Sequence, residues 1–208
     1  MSTEVTPANS SEKSQDASAW NLANVLTIVR LALVPLFADL LMQSQNDRDS
    51  AYQAAYVFIL ASATDLADGV IARKFNLVTN FGKIADPIAD KALIGTALIG
   101  LSMMNQVPWF ITIAILVREI GITLIRLRLI RRAVIPASRG GKVKTVSQII
   151  AITLVIIPLP HVVSFVVTAS LWFALVMTLA TGVDYLMRAA TIVKSSSLTG
   201  SDSAVPHD

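Results

Sequence analysis

Apolar runs long enough to cross a bilayer dominate this chain and leave few folds open to it. A membrane-spanning helix takes roughly 20 mainly apolar residues, and the 208-residue sequence reads as six spans, near 25–42, 53–72, 82–104, 109–125, 146–159 and 162–187. Only 15% of the residues are charged, against about a quarter in ordinary soluble domains. The expected fold class is therefore an all-α membrane protein with one six-helix transmembrane domain over residues 20–194. The Ser-rich ends, 1–19 and 195–208, read as disordered cytosolic tails. The first of them lacks the basic start and apolar core of a secretory signal.

Charge placement orients the spans. One set of connections holds Arg73, Lys74, Lys83, a cluster running from Arg126 to Lys144, Arg188 and Lys194, while the other holds only Arg48. The positive-inside rule puts both termini and the basic connections in the cytoplasm, with the chain multi-pass in the cell (inner) membrane. A formal net charge of +3 raises nucleic acid as a partner, but the basic residues sit at the ends of apolar runs, which fits membrane topology instead. With no cysteine, disulfides and thiolate metal sites are excluded.

Against that background one segment is an energetic anomaly. DLADGVIARKFNLVTNFGKIADPIAD, residues 65–90, places Asp65, Asp68, Asp86 and Asp90 near the ends of two consecutive spans. An ionised Asp at membrane depth costs about 2.5–3.5 kcal/mol on insertion scales, and four of them repel one another. Residues three, four and seven apart share a helix face, so Asp65, Asp68, Gly69 and Ala72 form one stripe and Gly82, Asp86 and Asp90 another. A short linker lets the stripes face each other at the cytosolic end. Carboxylates without His or Cys suit Mg²⁺ or Mn²⁺, and four acids suffice for two ions, with one acid left as a base. Gly69, Ala72 and Gly82 remove bulk, either for close helix packing or for a large polar ligand. Arg73 is placed to meet a phosphate or to snorkel to the interface.

The segment matches D-x2-D-G-x2-A-R-x8-G-x3-D-x3-D at all eight fixed positions. It resembles the signature of the CDP-alcohol phosphatidyltransferase family. That resemblance implies a six-helix membrane enzyme, usually a homodimer, with a polar cavity open to the cytosol. The implied reaction is a divalent-metal-dependent transfer of a phosphatidyl group from a CDP-linked lipid such as CDP-diacylglycerol to an alcohol, with release of CMP. Carried over residue by residue, Asp65, Asp68 and Asp86 would bind metal, and Asp90 would contribute to the metal site and act as the catalytic base. Asp68, Gly69, Ala72, Arg73 and Gly82 would line the CDP pocket.

Four further stretches narrow the alcohol. NLANVLTIVR (21–30), REIGITLIR (118–126), GKVKTVSQ (141–148) and, more loosely, DYLMR (184–188) are similar to the branch of the family that uses glycerol 3-phosphate. Ala23 departs from that pattern, where Pro is common. A dianionic acceptor needs fixed cations, and Arg118, Lys142, Lys144 and Arg188 are the candidates, with Arg126 and Arg139 behind them. Arg118 lies mid-span, where charge is usually functional or paired. Glu119, its neighbour, is expected to point away from it toward another part of the bundle. Inositol phosphate is the competing acceptor. An ion carrier built on intramembrane carboxylates is a more distant alternative, disfavoured because the acidic motif has no second copy.

Overall fold

The computed structural model describes residues 22–75, 80–129 and 139–199. The expected N-terminal tail, Arg131 and Arg132 lie outside that range, as does the C-terminal tail from residue 200. Six α-helices follow one another: α1 (Leu22–Gln43), α2 (Arg48–Phe75), α3 (Asn80–Met103), α4 (Trp109–Leu129), α5 (Arg139–Ile156) and α6 (Ser164–Thr199), with a 3-10 turn, His161–Val163, ahead of the last. No strand occurs among the described residues, so the chain is all-α as the apolar runs imply.

The helices pack through rows spaced three and four residues apart. Phe37 and Leu41 of α1, Ala54, Phe58 and Ala61 of α2, and Leu93, Ala97 and Leu101 of α3 are buried together with Ile111 and Ile115 of α4, Ile152 of α5 and Leu175 of α6. α1 lies against α2 and α3; α6 covers α4 and α5; α2 touches α5, and α3 touches α4. The outward faces are apolar too. Ile113, Val117, Ile120 and Leu124 of α4 and Phe165, Phe173, Val176 and Val183 of α6 are all exposed, an arrangement that suits lipid rather than water. Among the described residues two stretches, Val25–Gln43 and His161–Thr191, are long and apolar enough by themselves to cross a bilayer. Among the described residues Lys91–Met103 of α3 forms a shorter apolar stretch.

Close approach is built with small residues. Gly100 of α3 faces α1 so tightly that an added Cβ would stand 2.6 Å from Leu41 Cδ2 and 3.3 Å from Met42 Cε. Gly100→Ala is therefore expected to destabilise the α1–α3 contact by about 1–3 kcal/mol, read as a lower thermal midpoint in detergent. An unchanged midpoint would mean that Leu41 swings aside at no cost.

The end of the bundle away from the acidic motif is closed by side chains. Asp47 caps α2, accepting from the Ser50 hydroxyl at 2.6 Å, the Ser50 amide at 2.8 Å and the Asp49 amide at 3.2 Å. Those bonds, the Ser50 hydroxyl first, hold its carboxyl below the usual carboxylate range. The turn after α3 places Asn105 at φ 58, a left-handed conformation that Asn tolerates better than most residues. The Gln106 amide then returns to the Leu101 carbonyl at 2.9 Å. Ser102 and Thr112 share a buried hydroxyl–hydroxyl bond of 2.7 Å, and Arg48 donates to the Pro158 carbonyl at 3.2 Å.

α1 runs through Pro35 as one helix. Two sequence expectations shift. α5 begins at Arg139, seven residues before the expected 146, so Gly141, Lys142 and Lys144 are helical rather than part of a loop. Two adjacent glycines disfavour a helix in water, but buried Lys144, paired with Glu119 of α4, holds the turn. α6 continues to Thr199, past Lys194.

Candidate active site

Helical register carries the buried rows of α2 and α3 into the acidic segment. On α2 the row Ala54, Phe58, Ala61 continues to positions 65, 68, 69 and 72; on α3 the row Leu98, Ile94 continues back to 90, 86 and 82. The two helices touch and are joined by residues 76–79, which lie outside the described range. The side chains of Asp65, Asp68, Ala72, Arg73, Asp86 and Asp90 lie outside the described residues, as do those of Arg126 and Arg139. The donor set available at the two stripes is oxygen only, which fits Mg²⁺ or Mn²⁺ and no soft metal. Among the described residues no group of three His, Cys, Asp or Glu side chains gathers.

Arg30 supports this end from α1. It is 1% exposed, and its Nε donates to the Ala61 carbonyl at 3.4 Å, one turn before Asp65. Thr27, one turn away on the same face, is equally buried. The bond to α2 gives Arg30 a structural role.

The residue next to Asp90 leads to a second polar centre. Lys91 Nζ lies 2.9 Å from Glu119 Oε2. Glu119 Oε1 accepts from Arg118 Nη1 at 3.0 Å and from Lys144 Nζ. One carboxylate, 4% exposed in its side chain, thus gathers cations from α3, α4 and α5. Arg118 and Glu119 were expected to point apart because they are neighbours on a helix. The arginine arm is long enough to turn back, and α6 gives it room: a Cβ on Gly182 would meet Arg118 Cγ at 3.1 Å and Nε at 3.2 Å. Arg118 Nη2 also donates to Thr181 Oγ1 at 3.0 Å. Beside this centre Gln148 donates to Thr178 at 2.8 Å. Among the described residues, Arg118 Nε and Gln148 Oε1 are buried without a hydrogen-bond partner.

The four cations proposed for an acceptor separate on this geometry. Arg118 and Lys144 are brought to the same carboxylate oxygen. Lys142 is exposed, and two residues along a helix place it across α5 from buried Lys144. Arg188 is exposed and pairs with Asp184 at 3.0 Å within α6, two turns from Thr181. Lys91, Thr181 and Gly182 were missed as members of the centre, and Glu119 was assigned no partner. The available signal was Glu119 itself, an acid deep in an apolar run with Arg118 beside it. His161 is exposed at the opposite end. Trp172 is half-exposed and packs on Phe110 with ring centroids 5.8 Å apart.

The sequence model of CDP-alcohol phosphatidyltransferases matches residues 20–180. The chain belongs to the CDP-alcohol phosphatidyltransferase family. A "Probable phosphatidylglycerophosphate synthase" of Mycobacterium tuberculosis (strain ATCC 25618 / H37Rv) is 49% identical over 173 residues, 81% of each chain. A "CDP-diacylglycerol--glycerol-3-phosphate 3-phosphatidyltransferase" of Bacillus subtilis (strain 168) is 37% identical over 191 residues, 85% of this chain and 99% of its own. A protein of the same name from Rickettsia felis is 40% identical over 171 residues, 79% of this chain and 93% of its own. The part shared with CDP-alcohol phosphatidyltransferases takes in the acidic stripes and Lys91, Arg118, Glu119 and Lys144, and ends just before Thr181, Gly182, Asp184 and Arg188.

Proposed function

We propose that this protein is a phosphatidylglycerolphosphate synthase: it moves the phosphatidyl group of CDP-diacylglycerol to glycerol 3-phosphate and releases CMP. The observation that carries the reading is the complete acidic motif in register on two touching helices, in a chain whose similar relatives bear that enzyme name over about four fifths of its length.

In this reading all six helices span the cell (inner) membrane, both termini are cytoplasmic, and the acidic end opens as a polar cavity to the cytosol. A homodimer is the working form. Asp65, Asp68, Asp86 and Asp90 would hold two Mg²⁺ or Mn²⁺ ions. When bound, the ions supply positive charge against the pyrophosphate of the donor. Gly69, Ala72 and Gly82 leave space for the CDP group, and Asp68 and Arg73 meet its polar edges. Asp90 accepts the proton of the acceptor hydroxyl. The hydroxyl oxygen forms a bond to the lipid-side phosphorus as the bond from that phosphorus to the oxygen shared with CMP breaks. CMP leaves with the electron pair. Arg118 and Lys144 hold the phosphate of the acceptor, with Arg188 further along the same face of α6; Lys142 faces away and contributes least.

The test is an assay of the purified full chain in detergent with Mg²⁺ and CDP-diacylglycerol, offering glycerol 3-phosphate, inositol phosphate and serine separately. CMP release with glycerol 3-phosphate alone supports the reading; release only with another acceptor overturns it. Gly182→Ala, which crowds Arg118 without altering any charge, is expected to raise the KM for glycerol 3-phosphate about threefold with kcat nearly unchanged. An unaltered KM would remove Arg118 from the acceptor site.

A further inference from the structure

Glu119 is an expensive residue to keep where it is. Burying an ion pair inside a bundle often stabilises no better than apolar residues of the same size. Here the cost is larger, because Arg118 and Lys144, with side chains only 14% and 8% exposed, share a single oxygen of one carboxylate. Its other oxygen faces Lys91. A tie meant only to hold helices together would pair one cation with one anion. This arrangement instead packs two cationic heads side by side, with their mutual repulsion only partly offset. Arg118 Nε adds an N–H that finds no partner among the described residues. A group of this kind is suited to a visiting anion that takes the remaining donors.

We propose that Glu119 is a positioning residue for the phosphate of the acceptor: it fixes the Arg118 guanidinium and the Lys144 ammonium next to each other so that both grip one phosphate monoester. The proposal rests on the reading of glycerol 3-phosphate as acceptor. Glu119 itself touches no substrate; it acts through the two cations. Thr181 and Gly182 of α6 set the other side of Arg118, the first by accepting from Nη2 and the second by leaving room for its side chain. Without the carboxylate charge, Arg118 and Lys144 repel one another and spread apart. The site then loses its grip on the acceptor while the acidic motif keeps its hold on the donor.

The experiment compares wild type, Glu119→Gln and Glu119→Asp as full-length protein in detergent with CDP-diacylglycerol and Mg²⁺, measuring initial CMP release at varied glycerol 3-phosphate. Wild type alone decides the acceptor reading: CMP release that depends on glycerol 3-phosphate upholds it before any variant is considered. Glu119→Gln is then expected to raise the KM for glycerol 3-phosphate about tenfold or more, with kcat within about threefold and the KM for CDP-diacylglycerol unchanged. An unchanged acceptor KM, a lower one, or a loss confined to kcat would overturn the proposal. If Glu119→Gln does not purify as a folded protein, Glu119→Asp carries the test. It keeps the charge but is one methylene too short to reach its partners, and the expected rise in acceptor KM is about threefold. No rise in that variant overturns the proposal equally.

Discussion

Asp90→Asn is expected to lower kcat for CMP release by about 10³-fold, within the range of about 10²–10⁴ that a positioned base supplies. The amide has the size of the carboxylate and leaves the helix intact, but it cannot take a proton from the acceptor hydroxyl. Position 90 lies in register with buried Ile94 and Leu98, one turn from position 86, so in the proposed reading one stripe would both hold metal and present the base. Donor binding should survive, since Asp65, Asp68 and Asp86 remain. The KM for CDP-diacylglycerol is therefore expected to change by no more than about threefold. Turnover within tenfold of wild type would remove Asp90 as the base, and a large loss of donor binding would make its part in the metal site the larger one.

The second large effect concerns the divalent ion. Chelation with excess EDTA is expected to abolish CMP release, and Mg²⁺ or Mn²⁺ to restore it, because four carboxylates at the membrane face repel one another and the anionic donor unless cations neutralise them. Asp68→Asn removes one charge from the α2 stripe. It is expected to raise the Mg²⁺ concentration for half-maximal rate about tenfold or more, with thermal stability in metal-free buffer unchanged or improved, since one source of repulsion is gone. Full activity in EDTA would rule out the metal reading of all four acids.

Most of the fold was legible because its cause is local. Each helix repeats apolar residues at a spacing visible in the sequence, and the acidic motif stands out as polar positions in two such rows. The start of α5 was less legible, because Gly140 and Gly141 weaken the local helical signal and the turn is held by the contact of Lys144 with Glu119 of another helix. The Glu119 centre was the least legible part. It depends on Lys91, Arg118 and Lys144 arriving at one oxygen pair from three helices, and no periodicity encodes that convergence. Adjacent positions on a helix diverge at Cβ, and only the length of the arginine arm and the missing side chain at Gly182 allow Arg118 to meet its neighbour. Asp39 accepts from Gln43 at 2.7 Å, one turn on along α1.

The closed end of the bundle has a practical consequence. From Arg48 to Asp65 is 17 residues of α2, about 26 Å along the helix axis. The Asp47 cap, the Asn105 turn, the Ser102–Thr112 bond and the Arg48–Pro158 bond all lie on the side remote from the reacting groups. The segments at 43–50 and 104–108 are therefore natural handles. A fluorophore, an epitope or a binder that recognises either of them would report on the enzyme, or immobilise it, without reaching the chemistry a helix-length away.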